Sequence, residues 1–127
     1  KARNVVALSR ALIEQHGGAV PHDRAALEAL PGVGRKTANV VLGNAFGIAS
    51  GVVVDTHVGR LSQRLGLTDE KTAEKIEQDL AALVPKKHWV MFPHWMICHG
   101  RQVCNARKPD CGNCVLADIC PSNNASQ

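Results

Sequence analysis

Four cysteines near the end of the chain form the strongest chemical pattern in the sequence. Cys104, Cys111, Cys114 and Cys120 follow the spacing C-x6-C-x2-C-x5-C, and a proline comes directly after the last of them. Thiolates are soft ligands that suit zinc or iron–sulfur sites. A structural zinc usually uses two C-x2-C pairs and only one is present here, whereas a closing Cys-Pro is typical of ferredoxin-type clusters. The spacing predicts a metal centre and favours a 4Fe–4S cluster, with zinc as the alternative.

The fifth cysteine, Cys98, lies outside this pattern. An odd number of cysteines, with no signal-peptide pattern at the start of the chain, argues against a disulfide framework. We therefore expect Cys98 to be a buried thiol without a ligand role. The six histidines are expected to pack in the interior or to lie at the surface, and only His57 is expected near a site.

The segment LPGVGRK, residues 30–36, joins two predicted helices through a glycine-rich turn. Two glycines around one apolar residue allow the backbone to approach another molecule closely. The N–H groups at the start of the second helix favour an anion. Such a hairpin can hold a nucleic-acid phosphate without reading the bases. The alternative is an ordinary turn between two helices, where glycines are also common.

Lys36 lies in the first turn of the second of these helices. The positive end of the helix dipole disfavours a cation at this position, so helix stability alone would favour an acidic residue. The same field favours the neutral, nucleophilic amine. The alternative interpretation is a solvated surface lysine.

Asp55 follows the apolar run Val52–Val54, so its carboxylate is expected to emerge from the core. One interpretation is an N-cap in the sequence Asp-Thr-His before a helix. The other is a base or electrostatic partner for Lys36. One residue can fill both roles, because a cap fixes the position of the carboxylate. His57 is two residues further along the chain.

The elements that position these residues are predicted to be helices. The apolar periodicity predicts an all-α protein, because no segment shows the sustained alternation of a strand. Gly17 and Pro85 are expected to end helices, and Pro93 to lie in a first turn or to kink its helix. Residues 52–54 are expected to be extended and buried. Helices are expected over residues 3–15, 24–30, 35–45, 56–65, 70–84 and 89–98.

The sequence also predicts the N-caps of two helices and the inward-facing residues of two helices. Asp23 is the expected N-cap of the second helix, and Thr68 or Asp69 that of the fifth. The inward stripe of the first helix is expected to be Val5, Leu8, Leu12 and Ile13. The inward stripe of the fifth is expected to be Ile76, Leu80, Leu83 and Val84.

Composition limits the classes of protein that the chain can represent. Its 127 residues are 45% hydrophobic and 20% charged, which allows a folded core. No uninterrupted apolar run reaches the roughly 18 residues of a membrane span, so no membrane partner is expected. Residues 1–66 hold eight basic and four acidic side chains, which places the net charge of +4 in the half that contains the hairpin. A basic surface suits a polyanion such as nucleic acid, although many basic surfaces are only solvated.

The order LPGVGRKTANVVL, then VVVDTH, then the cysteine pattern closely resembles endonuclease III, in the iron–sulfur branch of the helix-hairpin-helix DNA glycosylases. The resemblance runs from about Lys1 to Cys120. It implies an all-α helix-hairpin-helix glycosylase fold, with part of a six-helix barrel and a lobe for an iron–sulfur cluster. The implied partner is double-stranded DNA with a damaged base or an abasic site.

The resemblance also implies residue roles. Lys36 would attack C1′ of the damaged nucleotide, and Asp55 would activate it and stabilise the cationic sugar. A lysine here permits a Schiff base and β-elimination, which implies a bifunctional DNA glycosylase and AP lyase that flips out oxidised pyrimidines. Glu28 and His57 would lie near the base pocket. The four patterned cysteines would hold a 4Fe–4S cluster, and hairpin carbonyls a monovalent cation. The residues contacting DNA would be Leu30, Gly32, Val33, Gly34 and Arg35, with Arg107 and Lys108 in the cysteine loop.

The family's chain is longer at its N-terminus, so several barrel helices are expected to be missing here. Family members are usually monomeric, and the missing helices would come from another segment or chain. The alternative function is a catalytically incomplete DNA-binding fragment of such an enzyme.

The expected location is the bacterial cytoplasm, with the nucleoid. The expected segments are an N-terminal helix (1–20) packing with the cluster lobe or barrel, hairpin and barrel remainder (21–55), helical lobe (56–103), cluster loop (104–120) and tail (121–127).

Overall fold

A computed structural model describes residues 1–123, and the last four residues of the expected tail lie outside the described part. The described elements are helical and include no strand, which confirms the all-α prediction. No helix among residues 1–123 is long and apolar enough to cross a membrane. The α-helices are α1 (Ala2–His16), α2 (Arg24–Glu28), α3 (Arg35–Phe46), α4 (Thr56–Arg64), α5 (Ala73–Leu83) and α6 (Met91–Gln102), with 3-10 turns at Lys86–His88 and Cys111–Asn113.

The chain divides into two compact units, Lys1–Ser50 and Gly51–Gln127. The five-segment division expected from the sequence stays a prediction. The first unit has a small core in which α2 and α3 meet, and α1 packs against it. Its buried residues are Leu27, Leu30, Ala38 and Leu42, contacted from α1 by Leu8, Ala11 and Leu12.

The inward stripe predicted for α1 is only partly right. Leu8 and Leu12 pack against the core, but Val5 and Ile13 are 60% and 68% exposed. Successive residues of a helix are rotated by about 100°, so Ile13 points away from the face that Leu8 and Ala11 share. The helix ends at Gly17 with a φ of +61°, as predicted.

The start of the second unit supports its core directly. Residues 52–54 are extended as predicted, with Val52 fully buried and Val54 8% exposed. They pack against α4, α5 and α6. The buried cluster consists of Val52, Val54, Val58, Leu61, Ile76, Leu80 and Met96.

The predicted start of the fifth helix is wrong. Its N-cap is Thr72, whose hydroxyl accepts a hydrogen bond from the N–H of Lys75. The hydroxyl of Thr68 instead donates to Oδ2 of Asp79 at 2.6 Å, so it ties the preceding loop to the side of α5. The predicted inward position of Leu83 is also wrong, because this last residue of the helix is 58% exposed. Pro85 follows two residues later, after the helix has ended.

Pro93 is the third residue of α6 and is buried. The first N–H groups of a helix have no intrahelical acceptor, so a proline here removes no hydrogen bond. The first of the two predicted arrangements is therefore confirmed. The helix runs to Gln102, four residues beyond the predicted end.

Candidate active site and metal centre

The hairpin between α2 and α3 depends on a buried anchor and a glycine with positive φ. Leu30 is 4% exposed, and its carbonyl accepts a hydrogen bond from the N–H of Val33 at 3.2 Å. Gly32 has a φ of +78°, a conformation that L side chains rarely adopt. A Cβ added there would lie 3.1 Å from Cβ of Asn4. Any L residue at this position would therefore strain the turn.

The N-terminus of α3 differs from that of α2 in its capping. The carboxylate of Asp23 accepts a hydrogen bond from the N–H of Ala26 and caps α2, as predicted. Gly34 begins α3 with no side-chain cap, and the first turn contains no acidic residue. Arg35 and Lys36 occupy that turn and are exposed. An uncapped, basic helix start presents the arrangement that an anion such as a phosphate oxygen favours.

The far end of the first unit is tied to the two hairpin helices. The buried side chain of Asn39, on α3, accepts a hydrogen bond from the hydroxyl of Ser50 at 2.7 Å. Nη1 of Arg24, on α2, donates to the backbone carbonyl of Ser50 at 3.0 Å. These bonds fix the chain immediately before the second unit begins.

Asp55 is the N-cap of α4, as predicted. Its Oδ1 accepts a hydrogen bond from the N–H of Val58 at 2.8 Å, and its Oδ2 lies 3.2 Å from Nδ1 of His57. The two side chains are 18% and 25% exposed, so both remain accessible from solvent. The structure thus brings Asp55 and His57 together in the second unit, whereas Lys36 belongs to the first. Glu28 is the exposed last residue of α2.

The four patterned cysteines line one pocket of the second unit, and this pocket is partly open to solvent. Among residues 1–123, no three His, Cys, Asp or Glu side chains converge as ligands of a single metal ion. Four cysteine thiolates are the donor set of both iron–sulfur clusters and structural zinc sites.

Two arginines of α4 hold the cysteine loop, and neither was predicted to be a functional residue. The guanidinium of Arg64 donates to the carbonyls of Asn105 and Ala106, both at 2.8 Å. Its Nη1 also lies 3.2 Å from Sγ of Cys104. Arg60 donates to the carbonyl of Cys104 at 3.0 Å. The available signal was their spacing of four residues, which places both on one helix face beside the apolar stripe.

Two residues of α6 near the loop also differ from expectation. Nε2 of His99 lies 3.4 Å from Sγ of Cys114, so this histidine borders the metal centre. Cys98 is exposed, and its predicted burial is wrong. The buried positions of this part of α6 are Met96 and Gly100. Cys98 is two residues from each, and a two-residue step turns a side chain to roughly the opposite side of a helix.

Arg107 and Lys108 are exposed in the loop between the first two cysteines. The preceding two residues are those whose carbonyls Arg64 holds. The loop therefore presents two cations from a fixed base, which is an arrangement that suits a phosphate backbone.

Comparison with known proteins identifies both the hairpin and the cysteine segment. Residues 15–43 match the helix-hairpin-helix motif, and residues 104–120 match the iron–sulfur binding domain of endonuclease III. Endonuclease III of Synechocystis is 55% identical over 126 residues, which cover 99% of this chain and 58% of that protein. Endonuclease III of Escherichia coli is 52% identical over 120 residues, covering 94% of this chain and 56% of that protein.

A solved structure of a trapped endonuclease III–DNA covalent intermediate, an estranged-adenine complex, is similar to the fold of this chain. Its TM-score is 0.89 at 44% identity, and the match covers 96% of this chain and 57% of the solved one. The fold and the two matched segments define a helix-hairpin-helix protein with an iron–sulfur binding domain. Within that class, the chain is homologous to endonuclease III over nearly its whole length. It spans a little over half the length of these relatives.

Proposed function

We propose that this chain is the hairpin and cluster portion of a base-excision repair enzyme, a bifunctional DNA glycosylase and AP lyase. Its substrates are oxidised pyrimidines and abasic sites in duplex DNA. The observation that carries the proposal is the likeness to endonuclease III captured on DNA as a covalent intermediate, at a TM-score of 0.89. A covalent bond to DNA requires a protein nucleophile, and Lys36 is the nucleophilic side chain in the matched hairpin segment.

Lys36 supplies an amine for the chemistry. The Nζ lone pair attacks C1′ of the damaged nucleotide, and the bond from C1′ to the base breaks, with the electron pair leaving on the base. Ring opening of the sugar gives a Schiff base between Nζ and C1′. Loss of a proton from C2′ then expels the 3′ phosphate by β-elimination, which cleaves the strand. Water finally hydrolyses the Schiff base and regenerates the amine.

Asp55 acts as the carboxylate of this reaction. Capping by the N–H of Val58 and contact with His57 hold both oxygens in fixed positions. A fixed carboxylate can act as a general base and, in its ionised form, stabilises positive charge on the sugar as the nucleobase departs. His57 keeps the second oxygen oriented, and Glu28 stays a predicted neighbour of the base pocket.

DNA binding is assigned to the hairpin and the cysteine loop. The uncapped start of α3, at Gly34 and Arg35, is the proposed phosphate site, and Leu30 anchors the turn in the core. Carbonyls of the same turn are the proposed ligands of a monovalent cation. Arg107 and Lys108 bind a second part of the DNA backbone. None of these contacts reads base edges, so damage is selected by flipping the base.

The four patterned cysteines are the proposed ligands of a 4Fe–4S cluster. The cluster, when bound, supplies four iron–thiolate bonds that close the loop between Cys104 and Cys120. The loop then presents Arg107 and Lys108 to DNA. The bacterial cytoplasm, with its nucleoid DNA, follows as the location because the substrate lies there.

The catalytically incomplete alternative is favoured by one observation, the span of only 56–58% of the relatives' length. Duplex DNA with a single thymine glycol separates the two functions. The full-length, cluster-loaded protein is expected to release the base and to cleave the strand without added alkali. Base release without cleavage would contradict the lyase assignment. Binding without base release by the full-length protein would favour the incomplete alternative.

A further inference from the structure

Two side chains outside the cysteine pattern directly contact the sulfur atoms of two of the patterned cysteines. Nη1 of Arg64 lies 3.2 Å from Sγ of Cys104, and Nε2 of His99 lies 3.4 Å from Sγ of Cys114. Arg64 and His99 also line the pocket that the four cysteines share. The two contacts come from different helices, α4 and α6, and reach different ligands.

The direction of both hydrogen bonds follows from protonation. A cysteine that ligates iron is a thiolate, which accepts hydrogen bonds and has no proton to donate. A guanidinium can only donate, so Arg64 is the donor to Cys104. Nε2 of His99 must likewise carry the hydrogen that it shares with Cys114. The N–H of Leu116, 3.4 Å from the sulfur of Cys114, is a third donor.

Both donors are held in place by further contacts. Two further N–H groups of Arg64 donate to the carbonyls of Asn105 and Ala106. Gly100, next to His99, packs so closely on α4 that an added Cβ would lie 3.2 Å from Leu61. The carboxylate of Asp110 also lines the pocket, and it accepts a hydrogen bond from the side chain of Asn113 at 2.9 Å. The geometry at the sulfurs is therefore built into the fold.

A 4Fe–4S cluster with four thiolates carries about two negative charges in its usual state, and reduction adds one more. Hydrogen bonds and positive charge at the sulfurs stabilise the more negative state. We propose that Arg64 and His99 set the reduction potential of the cluster, raising it above the value that the four cysteines alone would give. This inference rests on the cluster assignment, and does not depend on the glycosylase chemistry.

Voltammetry of the full-length, cluster-loaded protein tests the proposal. The electrode exchanges one electron with the cluster, and no bond to the protein forms or breaks. His99→Leu is expected to shift the midpoint potential to more negative values because it removes the donor. His99→Gln keeps an N–H near the position of Nε2 and is expected to stay close to the wild type. His94→Leu is the control on the same helix and is expected to leave the potential unchanged.

An unchanged potential in His99→Leu, or an equal shift in His99→Leu and His99→Gln, would overturn the role of His99. His99→Leu could also lose the cluster. In that case, a cluster with the wild-type potential in His99→Gln supports the donor role of His99, and loss of the cluster from both variants contradicts it. Arg64→Met is expected to shift the potential in the same direction, and Arg64→Lys to shift it less. Iron and sulfide are measured in each sample. A wild type that contains neither would overturn the cofactor assignment itself, a result distinct from an unchanged potential.

Discussion

The guanidinium of Arg64 donates a hydrogen bond to the sulfur of Cys104, which lies forty residues further along the chain. Arg64 is the last residue of α4, the helix whose first turn is capped by Asp55. One short helix therefore carries a candidate catalytic carboxylate at its start and the main clamp of the cysteine loop at its end. The clamp on the cysteine loop can therefore be tested separately from catalysis.

Replacing Arg64 by methionine is expected to reduce the cluster content of the purified protein. The change removes the hydrogen bonds that hold the carbonyls of Asn105 and Ala106, and of the two arginines only Arg60 still holds the first part of the loop, through the carbonyl of Cys104. Iron analysis and the visible absorbance of the cluster measure the loss. Arg101→Met, at an exposed position of α6, is the control and should retain wild-type iron. Full iron content in Arg64→Met would contradict the clamp.

The two roles of Asp55 can be separated by two substitutions. Asn caps helices about as well as Asp, so Asp55→Asn is expected to keep the stability of the fold and lose most activity. Asp55→Ala is expected to lose activity and also about 0.5–2 kcal/mol of stability. Denaturant unfolding and base-release rates measure the two effects. Asp23→Ala removes the cap of α2 and is the control. It should lose similar stability but release the base from bound substrate at the wild-type rate. High activity in Asp55→Asn would remove the carboxylate from the mechanism.

Gly100→Ala is expected to destabilise the second unit by about 1–3 kcal/mol. The added Cβ would lie 3.0 Å from Nη2 of Arg60 and 3.3 Å from Cδ2 of His57. Thermal unfolding measures the change. Gly59→Ala is the matched control, because its added Cβ meets neighbours only at 3.7 Å or more. It should gain up to about 1 kcal/mol from the lower flexibility of the unfolded chain. Equal stability of the two variants would contradict the close packing of α6 on α4.

The glycines of the hairpin are expected to respond differently to alanine. Gly32→Ala strains a backbone with a φ of +78° and should cost roughly 1–2 kcal/mol. Gly34→Ala meets no atom within 4 Å and has an ordinary φ of −99°, so the fold should tolerate it. Its methyl group nevertheless stands where a phosphate would approach. DNA affinity should therefore fall in both variants, and an unchanged affinity in Gly34→Ala would contradict phosphate binding there.

Local features of the fold were predictable from the sequence because neighbouring residues determine them. Asp55 caps α4 through a hydrogen bond to a residue three positions away, and Gly17 ends α1 through its own backbone conformation. The start of α5 was not predictable, since Thr68 and Thr72 are equally good caps. Asp79 decides between them by binding the hydroxyl of Thr68, which is a contact with the side of α5.

The candidate site was likewise predictable only where its residues are close in sequence. The cysteine spacing indicated a metal centre, because the ligands themselves are close in sequence. Arg64 and His99 reach their sulfurs only after α4 and α6 have packed together. The spacing of Arg60 and Arg64 places both on one helix face but does not show what they contact, and no local pattern marks His99. Similarly, the periodicity of α1 identified Leu8 and Leu12 but not the exposure of Ile13, because periodicity shows an apolar face without showing how far its partner extends.

Borohydride trapping on DNA tests whether Lys36 is the nucleophile that bonds to the sugar. The full-length, cluster-loaded protein is mixed with a thymine glycol duplex, and borohydride reduces a lysine–sugar Schiff base to a stable amine. The wild type and Lys75→Gln, a change at an exposed lysine in the first turn of α5, are expected to give equal adducts. Lys36→Gln is expected to give none, and peptide mapping of the wild-type adduct should place the DNA on Lys36. An undiminished adduct in Lys36→Gln would contradict the account.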